Sequence, residues 1–135
     1  MNSVRISGVK SSVKSLEVAE LYRELGWGTA ADYSAARMKR SLANCDIVVS
    51  ARNEAGELVG ISRALTDHAL DTKILDMIIV PEYQRQGVGR AMMRKIESLT
   101  KGANIYFETE PKNFGFAKKC GYKRRPGLTV FWKKQ

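Results

Sequence analysis

Three segments of the chain repeat their apolar residues at the spacing of an amphipathic helix. Glycine ends many helices, and Gly26 and Gly102 follow the first and the third of these segments. A shorter helix is predicted at residues 111–120, because Pro111 suits a first helical turn and Gly121 closes the segment. The apolar stripes of the three longer helices are Val18, Leu21, Tyr22 and Leu25; Ala31, Ala35, Met38 and Leu42; and Val88, Ala91, Met92, Ile96 and Leu99.

Short runs rich in β-branched residues predict strands around these helices. The tail YKRRPGLTVFWKK predicts two more strands around Pro126–Gly127, since glycine suits the positive φ of a type II turn. The order β-α-α-β-β-β-α-β-α-β-β indicates a mixed α/β fold, and the length of 135 residues indicates one domain over residues 1–135. The other predicted strands are residues 3–7, CDIVVSA at 45–51, LVGISRAL at 58–65, TKILDMIIV at 72–80 and NIYFE at 104–108.

The composition is that of an ordinary globular protein, with 44% hydrophobic and 27% charged residues. No apolar run approaches the roughly 18 residues of a membrane span, and the N-terminus has no signal-peptide pattern, so we expect no membrane partner. Cys45 and Cys120 match no metal or redox spacing, which favours reduced thiols and a cytoplasmic location. Because His68 is the single histidine, we expect no metal site.

The net charge of +9 predicts an anionic partner. The basic residues are spread along the chain, with a mild concentration near the C-terminus, and no motif of stacking aromatic residues accompanies them. A solvated basic surface or a polyphosphate ligand therefore fits the charge pattern at least as well as nucleic acid does.

The stretch YQRQGVGRAM places Gly87 and Gly89 where a predicted strand ends and a helix begins. The first N–H groups of a helix lack internal partners, and the helix dipole adds partial positive charge there. Glycines also let a backbone approach phosphate oxygens closely. The loop therefore indicates an anion site, with a plain tight turn as the alternative.

Two familiar phosphate-binding motifs do not fit this loop. A P-loop ends in Gly-Lys-Ser/Thr, whereas this chain has Gly89-Arg90-Ala91. A dinucleotide-binding fingerprint needs a third small residue where Met92 stands, although Glu108 lies at a suitable distance for a ribose contact. The chain after residue 74 is also too short for a complete nucleotide-binding sheet.

The segment QRQGVG, Gln84 to Gly89, resembles motif A of the GNAT superfamily of acyl-CoA-dependent N-acyltransferases, written Gln/Arg-x-x-Gly-x-Gly/Ala. The downstream pattern N-x-x-F-x-x-x-x-G-Y, from Asn113 to Tyr122, resembles the family's second motif. Residues 46–125 carry most of the resemblance. Within the family, ELYRELGWG, RALTD and DMIIVPEYQRQGVG resemble a bacterial and plastid branch with arylalkylamine N-acetyltransferase-like proteins.

The resemblance implies the GNAT fold, a mostly antiparallel sheet of six to seven strands flanked by about four helices. Its fourth and fifth strands run parallel and splay apart, which leaves a slot for the pantetheine arm of acetyl-CoA along the fourth strand. Backbone N–H groups of the glycine loop would hold the pyrophosphate, and the amide of Met77 would polarise the thioester carbonyl. The implied cosubstrate-binding residues are Met77, Ile78, Ile79, Val80, Gln84, Arg85, Gln86, Gly87, Val88, Gly89, Arg90, Asn113 and Phe116.

Transfer of an acetyl group to an amine requires a base or a water chain, because most biological amines are protonated at neutral pH. The candidate catalytic residues are Asp76, on the opposite face of its strand from Met77, and Glu108. A buried structural role for Asp76 stays open as an alternative. Further acidic and titratable candidates are Glu110, Asp67, Asp71 and His68, of which His68 fits an exposed loop residue better than a base.

One position departs from the family pattern. Many members carry a tyrosine as general acid in F-Y-x-x-x-G-F, and this chain has Ala117 there. Cys120 does not indicate a covalent acyl-enzyme, because no histidine partner accompanies it.

Three functions follow from the sequence. The first is an acetyl-CoA-dependent N-acetyltransferase that acts on a small-molecule primary amine by direct attack in a ternary complex. The second, which Ala117 supports, is an acyl-CoA-binding sensor with little catalysis. The third is a basic nucleic-acid-binding module. A homodimer is compatible with each.

Overall fold

The computed structural model describes residues 3–135, which form a five-stranded sheet with strand order β1-β2-β3-β4-β5 and four α-helices. Three short 3-10 turns lie at Lys10–Ser12, Pro81–Tyr83 and Pro111–Asn113. Within this part of the chain, no helix has the length and apolar character to cross a membrane. The elements are β1 (Val4–Ser7), α1 (Ser15–Glu24), α2 (Ala35–Asn44), β2 (Ile47–Asn53), β3 (Leu58–Thr66), β4 (Asp71–Ile79), α3 (Val88–Leu99), β5 (Asn104–Tyr106) and α4 (Phe114–Lys119).

The sheet is mixed, as predicted. Strands β1 to β4 pair antiparallel with their neighbours, and β5 pairs with β4 in parallel. The parallel β4/β5 pair is joined through α3, which follows the glycine loop. These features confirm the mixed α/β fold and its four helices.

The prediction of six to seven strands is wrong for the described residues, because the tail forms no strand. The predicted turn exists, with the Leu128 N–H donating to the Arg125 carbonyl at 3.1 Å. The residues on either side of it have strand-forming side chains but find no neighbouring strand to share hydrogen bonds with. Strand propensity describes a side chain's fit to a sheet surface and does not supply the partner.

The two faces of the sheet carry separate apolar cores. Helices α1 and α2 cover one face, and α3 covers the other. Burial on both faces explains why β2 and β3 contain nearly continuous apolar runs. The first core includes Val18, Tyr22, Leu42, Ile61 and Ile78, and the second includes Val49, Ile74, Met92, Met93 and Ile96.

A β-bulge in β4 decides which side chains face each core. Arg63 pairs with Asp76, and Ala64 pairs with Ile74, so Leu75 is an extra residue on β4. Ile74 and Asp76 would share a face in a regular strand. Because of the bulge, Ile74 packs in the α3 core and Asp76 contacts α1 on the other face.

Side-chain hydrogen bonds cap the N-termini of α1 and α2. The Ser34 hydroxyl accepts a hydrogen bond from the Arg37 N–H at 3.2 Å, which satisfies one of the unpaired donors of α2. At α1, the Glu17 carboxylate accepts from the Lys14 N–H at 3.0 Å. Glu17 also forms an ion pair with Arg52 of β2, which attaches the start of α1 to the sheet.

Candidate functional site

Strands β4 and β5 separate after a short paired stretch. Their register runs from Asp71 opposite Asn104 to Lys73 opposite Tyr106, whereas β4 continues along β3 as far as Ile79. Among the described residues, no strand pairs with the outer edge of β4 beyond Lys73. The result is an open slot between the second half of β4 and the chain that leaves β5.

The peptide groups of Met77 and Ile79 face this slot. The Val80 N–H donates to the Val59 carbonyl at 2.9 Å, so Val80 points toward β3, and alternate residues point the other way. The Gln84 side-chain amide confirms the direction, because its Nε2 donates to the Ile79 carbonyl at 2.8 Å from the slot side. An extended ligand in the slot can therefore bond to the backbone of Met77 and to the Ile79 N–H.

The glycine loop presents a run of unpaired donors at the end of the slot. The Gln84 N–H donates to Pro81, and the Ala91 N–H donates to Gly87 as the first bond of α3. Between them, the backbone N–H groups from Arg85 to Arg90 donate to no acceptor within residues 3–135. Such a run at a helix N-terminus is an anion-binding arrangement.

The two glycines have different roles in this loop. Gly87 has φ +85° as the residue before α3, and Arg85 shares the left-handed conformation with φ 60°. A Cβ on Gly89 would lie 3.0 Å from the Phe116 ring and 3.1 Å from Ile79. Gly87 therefore supplies the backbone conformation, and Gly89 lets the helix pack against β4 and α4.

We expect Gly87→Ala to lower the free energy of unfolding by about 1–2 kcal/mol, the cost of a left-handed conformation in a residue with a Cβ. Gly115→Ala is a matched control, since a Cβ meets nothing within 4 Å at either position and only Gly87 has a positive φ. Alanine at position 115, inside α4, should leave stability unchanged or raise it slightly. Chemical denaturation measures both variants, and equal effects would contradict the conformational role of Gly87.

Phe116 and Asn113 join α4 to the site in different ways. The Phe116 ring lies against Gly89 and is partly exposed, so it closes one side of the loop. The Asn113 side chain donates to the Thr109 hydroxyl at 3.1 Å, within the turn before α4. Thus the structure brings Phe116 to the glycine loop and places Asn113 one turn earlier.

Some polar side chains of the glycine loop bond to its own backbone, and others have no partner in the described part of the chain. The Gln86 amide nitrogen donates to the Glu82 carbonyl at 2.6 Å, and within residues 3–135 its buried Oε1 has no partner. Arg85 and Arg90 are exposed and form no ion pair in the described part of the chain. Two guanidinium groups therefore flank the unpaired N–H groups.

Asp76 is fully engaged in a buried polar cluster. Its carboxylate accepts from the Tyr22 hydroxyl at 2.5 Å and from two nitrogens of the Arg63 guanidinium, at 2.5 and 2.9 Å. Burial, and then the negative charge of Asp76, raise the pKa of Tyr22, so the phenol stays neutral and donates. Arg63 also donates to the Ser41 hydroxyl of α2 at 2.5 Å. These contacts favour the structural alternative for Asp76.

Glu108 is an accessible candidate base next to the paired stretch of β4 and β5. It follows β5, where the chain leaves β4, and its half-exposed carboxylate pairs with Lys73 Nζ at 2.5 Å. By contrast, Asp67 accepts N–H bonds from Ala69, Leu70 and Asp71, which lower the pKa of Asp67 and hold a loop. Glu110 lies farther along the exposed turn and pairs with Lys112 at 3.2 Å.

The remaining side chains of the second motif are structural. The Tyr122 hydroxyl donates to Glu97 of α3 at 3.1 Å, and its ring packs edge-on against Phe107. Burial raises the pKa of the Cys120 thiol, which disfavours the thiolate. Within residues 3–135, no group of histidine, cysteine or acidic side chains is arranged to hold a metal ion.

Sequence reasoning missed two contributions. The sequence places Arg63 in a strand and Tyr22 on the apolar face of a helix. It does not show that these two side chains form hydrogen bonds with each other and with Asp76. A charged residue inside the apolar run LVGISRAL was the available signal, because a buried charge needs a partner. Nothing in the sequence beyond the motif itself indicated that the Gln84 side chain would donate a hydrogen bond to the Ile79 carbonyl.

A family model described as "Acetyltransferase (GNAT) domain" matches residues 43–124, which is more than half of the chain. The chain belongs to the GNAT acetyltransferase family. The slot, the glycine loop and the second motif all lie within the matched residues. The resemblance seen in QRQGVG is thereby confirmed.

Known members of the GNAT family extend the comparison. The chain is 36% identical over 73 residues to "GCN5-related N-acetyltransferase 3, chloroplastic" of Arabidopsis thaliana, covering 50% of this chain and 30% of that protein. It is 30% identical over 96 residues to "Serotonin N-acetyltransferase 2, chloroplastic" of Oryza sativa subsp. japonica, covering 67% of this chain and 48% of that protein. The chain thus spans less than half the length of these two relatives.

A solved structure of aminoglycoside N-acetyltransferase AAC(6')-Iy in complex with CoA has the same fold as this GNAT chain. The TM-score is 0.76 at 16% identity, and the match covers 100% of this chain and 97% of that one. At this identity the likeness concerns the fold alone.

Proposed function

We propose that the chain is an acetyl-CoA-dependent N-acetyltransferase that acetylates a primary amine of a small molecule, with residues 1–135 acting as one domain. The observation that carries the proposal is the unpaired backbone of Met77 and the unpaired Ile79 N–H, which lead to the unpaired N–H groups of Arg85 to Arg90. Such a sequence of donors fits an extended amide-containing arm followed by a diphosphate, which is the form of coenzyme A.

In this proposal, each part of the site has a defined task. The edge of β4 from Met77 to Val80 pairs with the pantetheine arm, and the glycine loop holds the pyrophosphate. Arg85 and Arg90 add positive charge at its rim. Phe116 closes the side of the loop next to α4, and Asn113 bonds to the arm when its contact with Thr109 opens.

The chemistry is direct transfer between two bound substrates. Acetyl-CoA supplies the thioester: the amine nitrogen attacks its carbonyl carbon, the carbon–sulfur bond breaks, and the thiolate leaves. The Met77 N–H donates to the carbonyl oxygen as negative charge develops there, an effect often worth a few kcal/mol. Glu108 accepts the proton of the amine. Asp76 holds α1 and α2 against the strand that carries Met77.

We propose an arylalkylamine as the class of amine that accepts the acetyl group. The rice relative is named as a serotonin N-acetyltransferase. In this chain, Trp27 is half-exposed after α1 and lies edge-on to Tyr22, with ring centroids 5.9 Å apart. Tyr22 in turn packs against Tyr33 at 4.8 Å. Tyr22 is fully buried, so Trp27 and the half-buried Tyr33 are the rings of this group that could stack on an acceptor of the arylalkylamine type.

A second function rests on Ala117. The alternative is an acyl-CoA sensor with little turnover, because α4 lacks the tyrosine that many family members use as a general acid. Both functions use the same cosubstrate site and differ only in whether the acetyl group is transferred.

The cytoplasmic location expected from the sequence stays a prediction, and both plant relatives are named as chloroplastic.

We expect acetyl-CoA at about one hundred times its Kd to raise the free energy of unfolding by about 2.7 kcal/mol, measured by thermal shift. When a panel of amines is added with acetyl-CoA, acetylation of an amine should release the free thiol of CoA. If Glu108 is the base, Glu108→Gln should lower kcat by about a hundredfold or more. Glu110→Gln is the control, because Glu110 pairs with Lys112 of its own turn and not with a residue of β4.

The outcomes separate the functions. Stabilisation without thiol release for any amine supports the sensor. Absence of stabilisation, together with salt-sensitive binding to DNA, contradicts both and supports the nucleic-acid-binding module.

A further inference from the structure

A cavity of about 500 Å³ lies between β1, β2 and the 3-10 turn at Lys10–Ser12. Its volume falls in the range of small-molecule sites, but its walls are more polar than is usual for such sites. Among the described residues, none that lines it is acidic. The polar side chains of its walls belong to two arginines and four serines, namely Arg5, Ser7, Ser11, Ser12, Ser50 and Arg52.

The cavity is polar because α1 and α2 leave β1 uncovered on their face of the sheet. Val4 and Ile6 pack in the α3 core. Alternation along the strand therefore turns Arg5 and Ser7 to the opposite face. The core beneath α1 and α2 contains no residue of β1 among those that the structure describes. Polar side chains thus meet there without apolar packing above them.

Internal hydrogen bonds hold the walls of the cavity in place. The Ser7 hydroxyl accepts from the Val9 N–H at 3.1 Å, at the turn that leaves β1. Arg52 Nη2 donates to the Ser12 carbonyl at 2.7 Å and fixes the end of the 3-10 turn to β2. The Ser12 and Ser50 hydroxyls lie 3.3 Å apart and share one hydrogen bond. The shape of the cavity is therefore set by the protein itself.

The two arginines of the cavity lie directly opposite each other, Arg5 on β1 and Arg52 on β2. Like charges at directly opposed positions of an antiparallel pair are destabilising. Glu17 forms an ion pair with Arg52, whereas Arg5 forms none within residues 3–135. One positive charge at the cavity is thus left without a counter-charge, and an anionic ligand would supply it.

The serine hydroxyls can donate to the same anion. In the described part of the chain, the Ser7 and Ser11 hydroxyls donate to no acceptor. Ser12 and Ser50 use one hydroxyl hydrogen between them, so a second stays available although Ser50 is only 2% exposed. A planar carboxylate is bound well by the parallel N–H groups of one arginine. Donors spread over three segments suit a phosphate better, because it offers three acceptor oxygens.

We propose that this cavity binds a small molecule that carries a phosphate monoester group. The Arg5 guanidinium supplies the counter-charge, and the serine hydroxyls donate to the phosphate oxygens. Water in the liquid takes about 30 Å³ per molecule, so the cavity has room for the organic part of the ligand beside the phosphate. Because β3 lies between β2 and β4, this site is separate from the slot along β4.

An NMR titration with inorganic phosphate tests the site. Each amide signal reports its own residue, so binding at the cavity and binding at the glycine loop are measured separately. We expect the signals of residues 5–12 and 50–52 to shift and to saturate, whether or not the glycine loop responds. Shifts confined to residues 84–90 overturn the proposal of a second site. Failure of acetyl-CoA to bind would contradict the proposed function and would leave this test unaffected.

Arg5→Gln should raise the Kd of the cavity for phosphate by about ten- to a hundredfold, since it removes the charged donors. Arg40→Gln is the matched control, because Arg40 is exposed, forms no ion pair within the described residues and does not line the cavity. Without phosphate, Arg5→Gln should leave Tm unchanged or raise it, because the repulsion with Arg52 is removed. A lower Tm would assign Arg5 a structural role and, like equal Kd values for the two variants, would contradict the proposal.

Further probes define the class of ligand. Glycerol phosphate should bind at least as tightly as inorganic phosphate, because its organic part also lies in the cavity. Acetate should bind about tenfold more weakly, since a carboxylate offers these donors fewer oxygens and less charge. Equal affinity for acetate and phosphate overturns the assignment. So does a response of the cavity signals to a DNA duplex but to neither phosphate probe, because the cavity would then belong to a nucleic-acid contact.

Discussion

Replacing Arg63 with methionine should lower the free energy of unfolding by about 3–5 kcal/mol, because the substitution leaves the Asp76 carboxylate buried without its counter-charge. The Asp76 side chain is only 2% exposed and the Arg63 side chain 16%, so water cannot compensate for the loss. The Tyr22 hydroxyl still donates to the carboxylate, but it carries no charge. Urea unfolding of the parent and the variant measures the difference.

Two further variants separate the loss of charge from the loss of packing. Lys112→Met breaks an exposed ion pair, with side chains 73% and 71% exposed, and should change stability by about 0–1 kcal/mol. Adding Asp76→Asn to Arg63→Met removes the uncompensated charge and should recover part of the stability. If Arg63→Met stays within about 1 kcal/mol of the parent, the ion pair does not hold the two layers together.

The run of unpaired N–H groups in the glycine loop was predictable from sequence because it depends on local structure. A strand end, a glycine with freedom of φ and the first turn of a helix lie within a few residues of each other, from Gln84 to Arg90. The unpaired N–H groups then follow from helix geometry alone. The sequence also indicated the order of strands and helices along the chain as far as α4.

The buried cluster of Asp76 was not predictable in the same way. Its partners lie 13 residues away at Arg63 and 54 residues away at Tyr22. The pairing depends on the extra residue Leu75, which shifts Asp76 to the face of α1. A bulge leaves no clear signature in one sequence, so regular alternation could place Asp76 opposite Met77 but could not identify its partners.

At the C-terminal tail, by contrast, the sequence predicted strands that the structure does not contain. Its side chains favour strands, and the sequence therefore predicted two of them at residues 122–134. A strand needs a second backbone, and the described chain leaves this one unpaired. The side chains of a segment show that it could form a strand, but they do not show which backbone would lie beside it.

Replacing Arg90 with proline should weaken acetyl-CoA binding by about ten- to a hundredfold, if the backbone N–H groups of the loop hold the pyrophosphate. A hydrogen bond to a charged group contributes about 1.5–3 kcal/mol, and each 1.4 kcal/mol corresponds to a factor of ten in Kd. Proline is tolerated in the first turn of a helix, and the Arg90 N–H has no partner within residues 3–135. Calorimetric titration with acetyl-CoA measures the change.

Arg90→Ala isolates the amide from the guanidinium, because alanine removes the side-chain charge and keeps the N–H. We expect at most about a fivefold loss for alanine, since an exposed charge contributes about 0–1 kcal/mol. Added salt should reduce this smaller effect by screening, and it should affect the amide contribution less. Equal affinities of the proline and alanine variants, with matching circular dichroism, would show that the Arg90 N–H does not contact the ligand. The loop would then act through its side chains, and the proposed contact between backbone and diphosphate would have to be abandoned at this position.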